Sequence, residues 1–297
     1  MRLEAKTKLS SKAKEPINVV KYNRTGKYVL AAGNERVVRL WNVKSGACIH
    51  EYAGHGHEIL DLDLVYDSTK FASCGGDKFI QVWDVNTGKV DRRLGGHLAQ
   101  INTIRYNEDS SILASGSFDS KVRLWDCRSN SFSPIQVLAD AKDSVSSIDI
   151  AEHLIVTGST DGTLRTYDIR KGTLSSDYFS HPITSVKTSK SASFSLISSL
   201  NSSIHLLDQE TGKILKSYIG LKNMEYRVRS SFNQSETIVF SGSEDGKVYL
   251  WDLENETQIT STSVVGTPIV TDISCHPTMD DFVIATVHGD LFIYQYN

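Results

Sequence analysis

The chain has 297 residues, of which 39% are hydrophobic and 23% are charged, proportions that are ordinary for a soluble globular protein. Its net charge of -3 argues against a protein that binds nucleic acid mainly through its overall electrostatic field, although a local basic patch is compatible with this charge. No apolar run approaches the roughly 18 residues of a membrane helix, and residues 1–16 lack the apolar core of a signal peptide. We therefore expect no direct contact with a membrane.

The dipeptide Trp-Asp, or a close variant of it, returns along the whole chain. The copies are Trp41-Asn42, Trp83-Asp84, Trp125-Asp126, Tyr167-Asp168, Leu207-Asp208, Trp251-Asp252 and Tyr294-Gln295. The second residues of these pairs lie 40 to 44 positions apart. A repeat of about 40–45 residues with this signature is typical of a propeller blade with four strands. The sequence therefore predicts an all-β fold, a single seven-bladed β-propeller that spans residues 1–297.

Each repeat contains short runs with strand character, and the third repeat shows four of them: INTIRYN, SILASGS, KVRLWDC and PIQVL. The seventh repeat, in contrast, has no fourth run after DLFIYQY. We expect residues 1–10, which precede the first strand of blade 1, to supply the outer strand of blade 7. Such pairing would close the ring and remove an exposed sheet edge.

Two repeats share a fixed spacing of four polar residues. A His precedes an Asp by 22 positions, a Ser lies 4 positions before the Asp, and a Trp follows the Asp by 6: His55, Ser73, Asp77 and Trp83, then His97, Ser115, Asp119 and Trp125. The fourth repeat keeps Thr157 and Asp161, the sixth keeps Ser241, Asp245 and Trp251, and the first has Glu35 in the Asp position. A His, a Ser and an Asp could form a catalytic triad, but their recurrence favours a structural role.

This pattern resembles the WD40 family, which implies a seven-bladed WD40 β-propeller. The resemblance also implies a buried hydrogen-bond network that joins Trp, Ser or Thr, His and Asp within one blade. An indole N–H donates, a hydroxyl donates and accepts, and a carboxylate fixes the imidazole tautomer. An enzyme would instead need convergent ionisable groups in the central channel with strongly perturbed pKa values. We therefore expect no enzymatic activity and no catalytic residue.

Metal and cofactor sites have little support in the sequence. His55 and His57 in GHGHE could bind a metal ion, but no third ligand lies nearby, so we expect neither a metal nor a cofactor. The cysteines lie far apart, which favours structural thiols over disulfides: Cys48, Cys74, Cys127 and Cys275.

Two segments have an Arg two residues after the Asp of the repeat, at Arg128 and Arg170. Among WD40 proteins this pattern resembles the docking signature of substrate receptors for cullin-type ubiquitin ligases. The alternative is an Arg at the end of a strand that pairs with a nearby carboxylate.

The loops that carry the His and Asp turns are the expected contact surface for partners. The candidate residues are His57, Glu58, Gln100, Phe118, Asp143, Ser144, Thr160, His181, Tyr226, Arg227 and Glu244. Exposed aromatic residues and Arg are enriched at interface centres, which draws attention to Phe118 and Tyr226. Either aromatic residue could instead cap the channel.

Beyond the general repeat, several segments resemble one subfamily of WD40 proteins, the mitogen-activated protein kinase organizers. These segments include YAGHGHEILDLDL, SFDSKVRLWDCRS, STDGTLRTYDIRKG and GLKNMEYRV. One departure is Leu221, where the subfamily has a His, and this weakens the case for a His-dependent network in blade 6.

The resemblance implies a non-enzymatic adaptor in the nucleus and cytoplasm that binds proteins of the spliceosome or of MAP-kinase pathways. It also implies that nucleic acid is contacted only through complexes. We expect a monomer within larger assemblies.

Overall fold

The computed structural model describes residues 3–10, 14–264, 266 and 269–296. Within these residues the chain forms 28 strands and no α-helix, and the strands make seven antiparallel sheets of four strands each. The predicted all-β, seven-bladed propeller is therefore confirmed. None of the described residues belongs to a helix that is long and apolar enough to cross a membrane.

Blades 1 to 3 each use four consecutive strands. Blade 1 contains β2 (Ile17–Tyr22), β3 (Tyr28–Gly33), β4 (Val37–Asn42) and β5 (Cys48–Ala53). Blade 2 contains β6 (Ile59–Leu64), β7 (Lys70–Gly75), β8 (Ile80–Asp84) and β9 (Val90–Leu94). Blade 3 contains β10 (Ile101–Tyr106), β11 (Ile112–Ser117), β12 (Val122–Asp126) and β13 (Gln136–Leu138).

Blades 4 to 6 follow the same order. Blade 4 contains β14 (Val145–Ala151), β15 (Leu154–Ser159), β16 (Thr163–Asp168) and β17 (Thr173–Tyr178). Blade 5 contains β18 (Ile183–Thr188), β19 (Phe194–Ser199), β20 (Ser203–Asp208) and β21 (Ile214–Tyr218). Blade 6 contains β22 (Ser230–Phe232), β23 (Ile238–Ser241), β24 (Lys247–Asp252) and β25 (Gln258–Ser263).

Blade 7 joins the two ends of the chain. It contains β26 (Val270–Cys275), β27 (Asp281–Thr286) and β28 (Asp290–Tyr296), and its outer strand is β1 (Leu3–Ser10). The strand β1 pairs antiparallel with β28, from Leu3 opposite Tyr296 to Ser10 opposite Asp290. The predicted ring closure is confirmed for residues 3–10, and residues 1 and 2 of the predicted stretch lie outside the described residues.

The hydrophobic core is divided into layers between adjacent blades. Trp83 packs between blades 1 and 2, Trp125 between blades 2 and 3, and Trp251 between blades 5 and 6. All six residues of β10 are buried, because one face of this inner strand packs against blade 2 and the opposite face packs against blade 4. A blade therefore cannot bury its surfaces alone, which explains why the repeats pack into one closed ring.

The first strands of adjacent blades lie side by side and surround the central channel. Because the strands alternate in direction, the loops that enter each first strand and the turns between second and third strands lie at one end of the ring. We call this end the upper face and the opposite end the lower face.

Candidate functional site: the upper face, its supporting network and the channel

In blade 2, hydrogen bonds join the four residues of the expected network. His55 Nδ1 lies 2.8 Å from Asp77 Oδ2, and His55 Nε2 lies 2.6 Å from Ser73 Oγ. The indole Nε1 of Trp83 donates to the same Ser73 oxygen at 2.8 Å. Because Asp77 accepts from Nδ1, the Nε2 atom of a neutral His55 accepts the proton of Ser73. The network therefore ties an upper-face loop and turn to two buried strands.

Blade 3 contains the same network with one addition. His97 Nδ1 lies 3.0 Å from Asp119 Oδ2, while Ser115 Oγ lies 2.8 Å from His97 Nε2 and accepts from Trp125 Nε1 at 2.9 Å. Arg123 donates to Asp119 at 2.9 Å. Burial lowers the pKa of His97 to about 4 despite the facing carboxylate, and the charge of Arg123 adds to this effect. His97 is therefore neutral at pH 7 and has a structural role.

Blade 6 does not form this network, although it retains three of the residues. Trp251 Nε1 donates to the carbonyl of Ile219 at 3.2 Å, and Ser241 donates to the carbonyl of Gly242 at 3.0 Å. Asp245 accepts from the hydroxyl of Tyr249 at 2.8 Å. Leu221, which stands where a His was expected, is buried in the apolar core and has no imidazole to link the remaining groups.

Blade 4 also departs from the expected arrangement. Asp161 pairs with Arg165 at 2.8 Å, and Thr157 donates to the backbone carbonyl of Arg165 at 3.3 Å. The hydroxyl of Tyr167 donates to Asp140 at 3.1 Å, away from both residues. Because Ala139 stands 22 positions before Asp161, where blades 2 and 3 have the network His, the guanidinium of Arg165 pairs with the carboxylate of Asp161 instead. Thr157 and Asp161 therefore lie in one blade without being members of one Trp-Ser-His-Asp chain.

A second contact recurs among the blades and was not predicted from the sequence: a turn carboxylate pairs with an Arg four residues later. The pairs are Glu35 with Arg39, Asp119 with Arg123, and Asp161 with Arg165. The acid lies at the upper-face turn, and the Arg lies on the third strand of the same blade. The Asp/Glu-x-x-x-Arg spacing was a usable signal, and it explains how turns without a His hold their carboxylate.

The central channel contains converging charged groups. Asp61 of β6 lies 3.2 Å from the guanidinium of Arg105 and 2.9 Å from that of Arg229, which reaches it from blade 6. Although burial by itself would raise the pKa of Asp61, the charges of Arg229 and Arg105 hold it well below the ordinary value. Burial raises the pKa of Asp63 and lowers the pKa of Lys21 to about 8.

These channel groups are the kind of cluster that an enzyme would need, but their carboxylates also join the blades. Asp61 accepts the backbone N–H of Ile104 at 3.1 Å, and Asp63 accepts that of Tyr106 at 2.8 Å. Asp149 and Asp272 accept the N–H groups of Thr188 and Val20 at 2.7 and 2.8 Å. Each of these bonds links the first strand of one blade to that of the next. Structural ion-pair networks of this kind perturb pKa values without catalysis.

The structure places most candidate contact residues on the open upper face. Phe118 and Tyr226 are 59% and 42% exposed. His57, Asp143 and His181 are also exposed, and the half-buried members of the set are Glu58, Gln100, Thr160, Arg227 and Glu244.

Ser144 is the exception among the candidate contact residues. It is buried, and its hydroxyl accepts the side-chain N–H of Asn102 at 2.8 Å. Ser144 therefore cannot be a contact residue, because it is part of the packing between blades 3 and 4.

The loop before β22 is held by two side chains. A single carboxylate oxygen of Glu244 accepts three consecutive backbone N–H groups, those of Met224 and Glu225 at 2.7 Å and that of Tyr226 at 2.9 Å. Arg227 crosses the channel mouth and donates to the carbonyl of Asn102 in blade 3 at 2.6 Å. Arg227, rather than Phe118 or Tyr226, therefore spans the mouth, and the two aromatic residues remain on the surface.

Arg128 and Arg170 lie on the lower face, and both are exposed. The guanidinium of Arg128 pairs with Asp109 at 2.7 Å, and that of Arg170 lies 2.7 Å from His153 Nε2. Both Arg residues thus contact groups of their own blade.

Among the described residues, no three His, Cys, Asp or Glu side chains are grouped as metal ligands. Cys74, Cys127 and Cys275 are free thiols. Burial raises the pKa of Cys127 to about 11 and that of Cys275 to about 12, so these thiols are poor nucleophiles at neutral pH.

Comparisons with known proteins agree with the fold. Residues 57–225 match the family model described as nucleolar protein 10-like, N-terminal domain, and residues 225–252 match the WD domain, G-beta repeat. Together with the seven blades, these matches define a WD-repeat β-propeller.

Curated relatives specify the family further. The chain is 49% identical over 275 residues to WD repeat domain-containing protein 83 of Rattus norvegicus, covering 93% of this chain and 87% of the relative. It is 50% identical over 262 residues to the Homo sapiens protein of that name, covering 88% and 83%. The Dictyostelium discoideum homolog is 32% identical, with 94% of each chain covered. The chain belongs to the WD repeat domain-containing protein 83 family.

Proposed function

We propose that this chain is a non-enzymatic scaffold that assembles multiprotein complexes through its upper face. The observation that carries this proposal is the pair of exposed aromatic residues, Phe118 and Tyr226, on loops fixed by the blade 3 network and by Glu244. Rigid aromatic residues lose little conformational entropy on binding and often dominate interface energy. A ring with several loop surfaces can also hold several partners at once.

The complexes that we propose are those of pre-mRNA splicing, of MAP-kinase signalling, or of both. The support is the resemblance to the MAP-kinase organizer subfamily, in which members are linked to both processes. On the same basis we propose that the chain acts in the nucleus and cytoplasm as a monomer within larger assemblies. Nucleic acid would then be contacted through partner proteins rather than by the propeller itself.

Affinity purification tests this proposal. The tagged chain would be recovered from nuclear and cytoplasmic extracts, with and without nuclease, beside a Phe118→Ala/Tyr226→Ala variant and a lower-face control, Tyr66→Ala. We expect partner proteins with the wild type and the control but not with the double variant. Splicing proteins that survive nuclease would indicate the spliceosome, and kinase components would indicate signalling. Capture that is unchanged in the double variant would contradict binding through the upper face.

The second candidate function is a substrate receptor of a cullin-type ubiquitin ligase. The observation in its favour is that Arg128 and Arg170 are exposed on the same face of neighbouring blades. Replacing both with Ala should abolish recovery of a ligase adaptor without changing the melting temperature. Adaptor recovery that is equal in the wild type and the double variant would rule this role out.

A further inference from the structure

We propose that the mouth of the central channel on the upper face binds an acidic segment of a partner protein, with a carboxylate of that segment paired to the guanidinium of Arg227. This inference rests on the proposed scaffold function and specifies the chemistry of the partner.

Arg227 differs from the other channel arginines in its partners. Arg105 and Arg229 each lie within 3.6 Å of at least one carboxylate. Among the described residues, the side chain of Arg227 donates to two backbone carbonyls, those of Asn102 at 2.6 Å and Thr184 at 3.4 Å. Within the described part of the chain, no carboxylate lies within 4.0 Å of its side-chain nitrogens. The charge of Arg227 is therefore stabilised by carbonyl dipoles and is not neutralised by an ion pair within these residues.

The charges of the channel leave a cation in excess. The channel holds five cationic side chains but only four carboxylates among the described residues. The cations are Lys21, Arg105, Lys187, Arg227 and Arg229, and the carboxylates are Asp61, Asp63, Asp149 and Asp272. Burial and the neighbouring charge of Arg229 lower the pKa of Arg227 to about 9. The local environment thus disfavours its positive charge. A carboxylate at this position would relieve that cost, and a guanidinium binds a carboxylate with two parallel hydrogen bonds.

Apolar contacts are available on both sides of this charge. Tyr226 precedes Arg227 in the chain, and Met224 on the same loop is 54% exposed. Across the channel, the backbone carbonyl of Asn102 accepts a hydrogen bond from Arg227. The nearby backbone carbonyl of Gln100 accepts the N–H of Phe118 at 3.0 Å. The guanidinium therefore joins the loop of Tyr226 to β10, and the residue before β10, Gln100, is bonded to the turn that carries Phe118. An extended segment with one acidic residue between apolar side chains would complement this arrangement.

Peptide binding tests the proposal. The probes would be an array of ten-residue peptides that combine Asp or Glu with Leu, Phe and Tyr, and a matched array with Asn or Gln in place of the acids. We expect binding of the full chain to the acidic array alone. The strongest peptide, labelled with fluorescein, should bind Arg227→Met at least about ten-fold more weakly, as expected when one partner of an interfacial charge pair is lost. The control Arg24→Met, which removes an Arg from the lower face, should bind as the wild type does.

Other variants keep the test informative if Arg227→Met does not fold. Arg227→Lys retains the charge but not the planar fork, so we expect weaker binding, and Phe118→Ala/Tyr226→Ala removes the apolar contacts only. Binding of the Asn/Gln peptides equal to that of the acidic peptides would overturn the proposal. So would an absence of binding to the acidic array. Binding of a single-stranded oligonucleotide that depends on Arg227, without binding of acidic peptides, would assign the site to phosphate instead.

The two proposals can fail separately. If Arg227→Met retains every partner protein in the affinity purification while Phe118→Ala/Tyr226→Ala loses them, the scaffold function stands and the acidic segment does not. If both variants retain every partner, the upper face is not the binding surface.

Discussion

At the scale of single residues, the indole of Trp41 shows how much the blade network depends on one hydroxyl. Ser73 and Ser115 accept the indole N–H in blades 2 and 3. Ala31 occupies the same position in blade 1, opposite Arg39 on the next strand, as Ser115 lies opposite Arg123. Trp41 Nε1 is buried without a hydrogen-bond partner among the described residues. A cavity of about 20 Å³ lies beside Ala31 and Trp41, so there is room for a hydroxyl.

We predict that Ala31→Ser stabilises the protein by about 0.5–1.5 kcal/mol, because a buried donor gains an acceptor. Urea titration would measure the change in the free energy of unfolding. The same substitution in a Trp41→Phe background should give no gain. An equal gain in both backgrounds would mean that the indole is not the partner of the new hydroxyl.

His97 makes a second prediction at this scale, on the pH dependence of stability. Its folded-state pKa of about 4 lies below the ordinary value of 6.5. Between these values the unfolded chain binds a proton that the folded chain does not, so stability falls as the pH falls through this window. The contribution of neutral His97 to the free energy of unfolding is fully present above pH 6.5 and is lost by about pH 4. Its total is on the order of 3 kcal/mol.

Chemical denaturation at a series of pH values would measure this dependence. His97→Gln should flatten the slope between pH 6.5 and 4, whereas the exposed control His57→Gln should leave it unchanged. A slope that persists in His97→Gln would show that other groups produce it.

At the scale of elements, the closing strand β1 is the test of the ring. Leu9 of β1 is fully buried between blades 7 and 1. Deleting residues 1–10 would remove this side chain and expose the edge of β28, at a cost of roughly 3–5 kcal/mol. We predict that the melting temperature falls by about 5–8 °C. A melting temperature within about 2 °C of the wild type would show that closure contributes little to stability.

A matched control separates the strand from its surface charges. Lys6 pairs with Asp281 at 2.8 Å and Lys8 with Asp290 at 2.7 Å, and both lysines are substantially exposed. Asp281 is buried, so Lys6 is left in place, and a Lys8→Gln variant keeps the strand and removes only the more exposed of the two ion pairs. Because an exposed pair contributes about 0–1 kcal/mol, this variant should melt close to the wild type.

The elements were predictable from the sequence because their signals are periodic. The repeat of Trp-Asp variants gives the blades, and the absence of a fourth run after DLFIYQY gives the closure by residues 3–10. The spacing of His55, Ser73 and Asp77 also identifies residues that the structure joins by hydrogen bonds.

The contacts that fix the upper face were not predictable in this way. Arg227 meets Asn102 across 125 residues of sequence, and no fixed spacing identifies such a pair. The sequence predicts that Ser144 is a contact residue, because it lies on a loop of the expected contact surface, but its side chain turns inward to Asn102. Which way a loop side chain points depends on the neighbouring blade, and a single repeat carries no information about that neighbour.

At the scale of the whole molecule, the channel joins blades that are distant in the ring. Arg229 crosses from blade 6 to Asp61 in blade 2, and its second terminal nitrogen donates to the carbonyl of Leu60 at 3.1 Å. The same guanidinium pairs with Asp272 of blade 7 at 3.3 Å. Because these charges are buried, removing one partner leaves the other without compensation. The channel should therefore hold the ring together as one cooperative unit.

A double-mutant cycle with Asp61→Asn and Arg229→Met tests this role. We predict that Asp61→Asn lowers the free energy of unfolding by roughly 3–5 kcal/mol, since it leaves Arg105 and Arg229 with less negative charge. The coupling between the two substitutions should be about 0.5–3 kcal/mol, because the residues share one network. The exposed pair Lys70 and Asp91, at 2.7 Å, is the matched control and should couple by less than about 1 kcal/mol. Coupling in the channel no larger than in this control would mean that the ring is held by its interblade apolar layers alone.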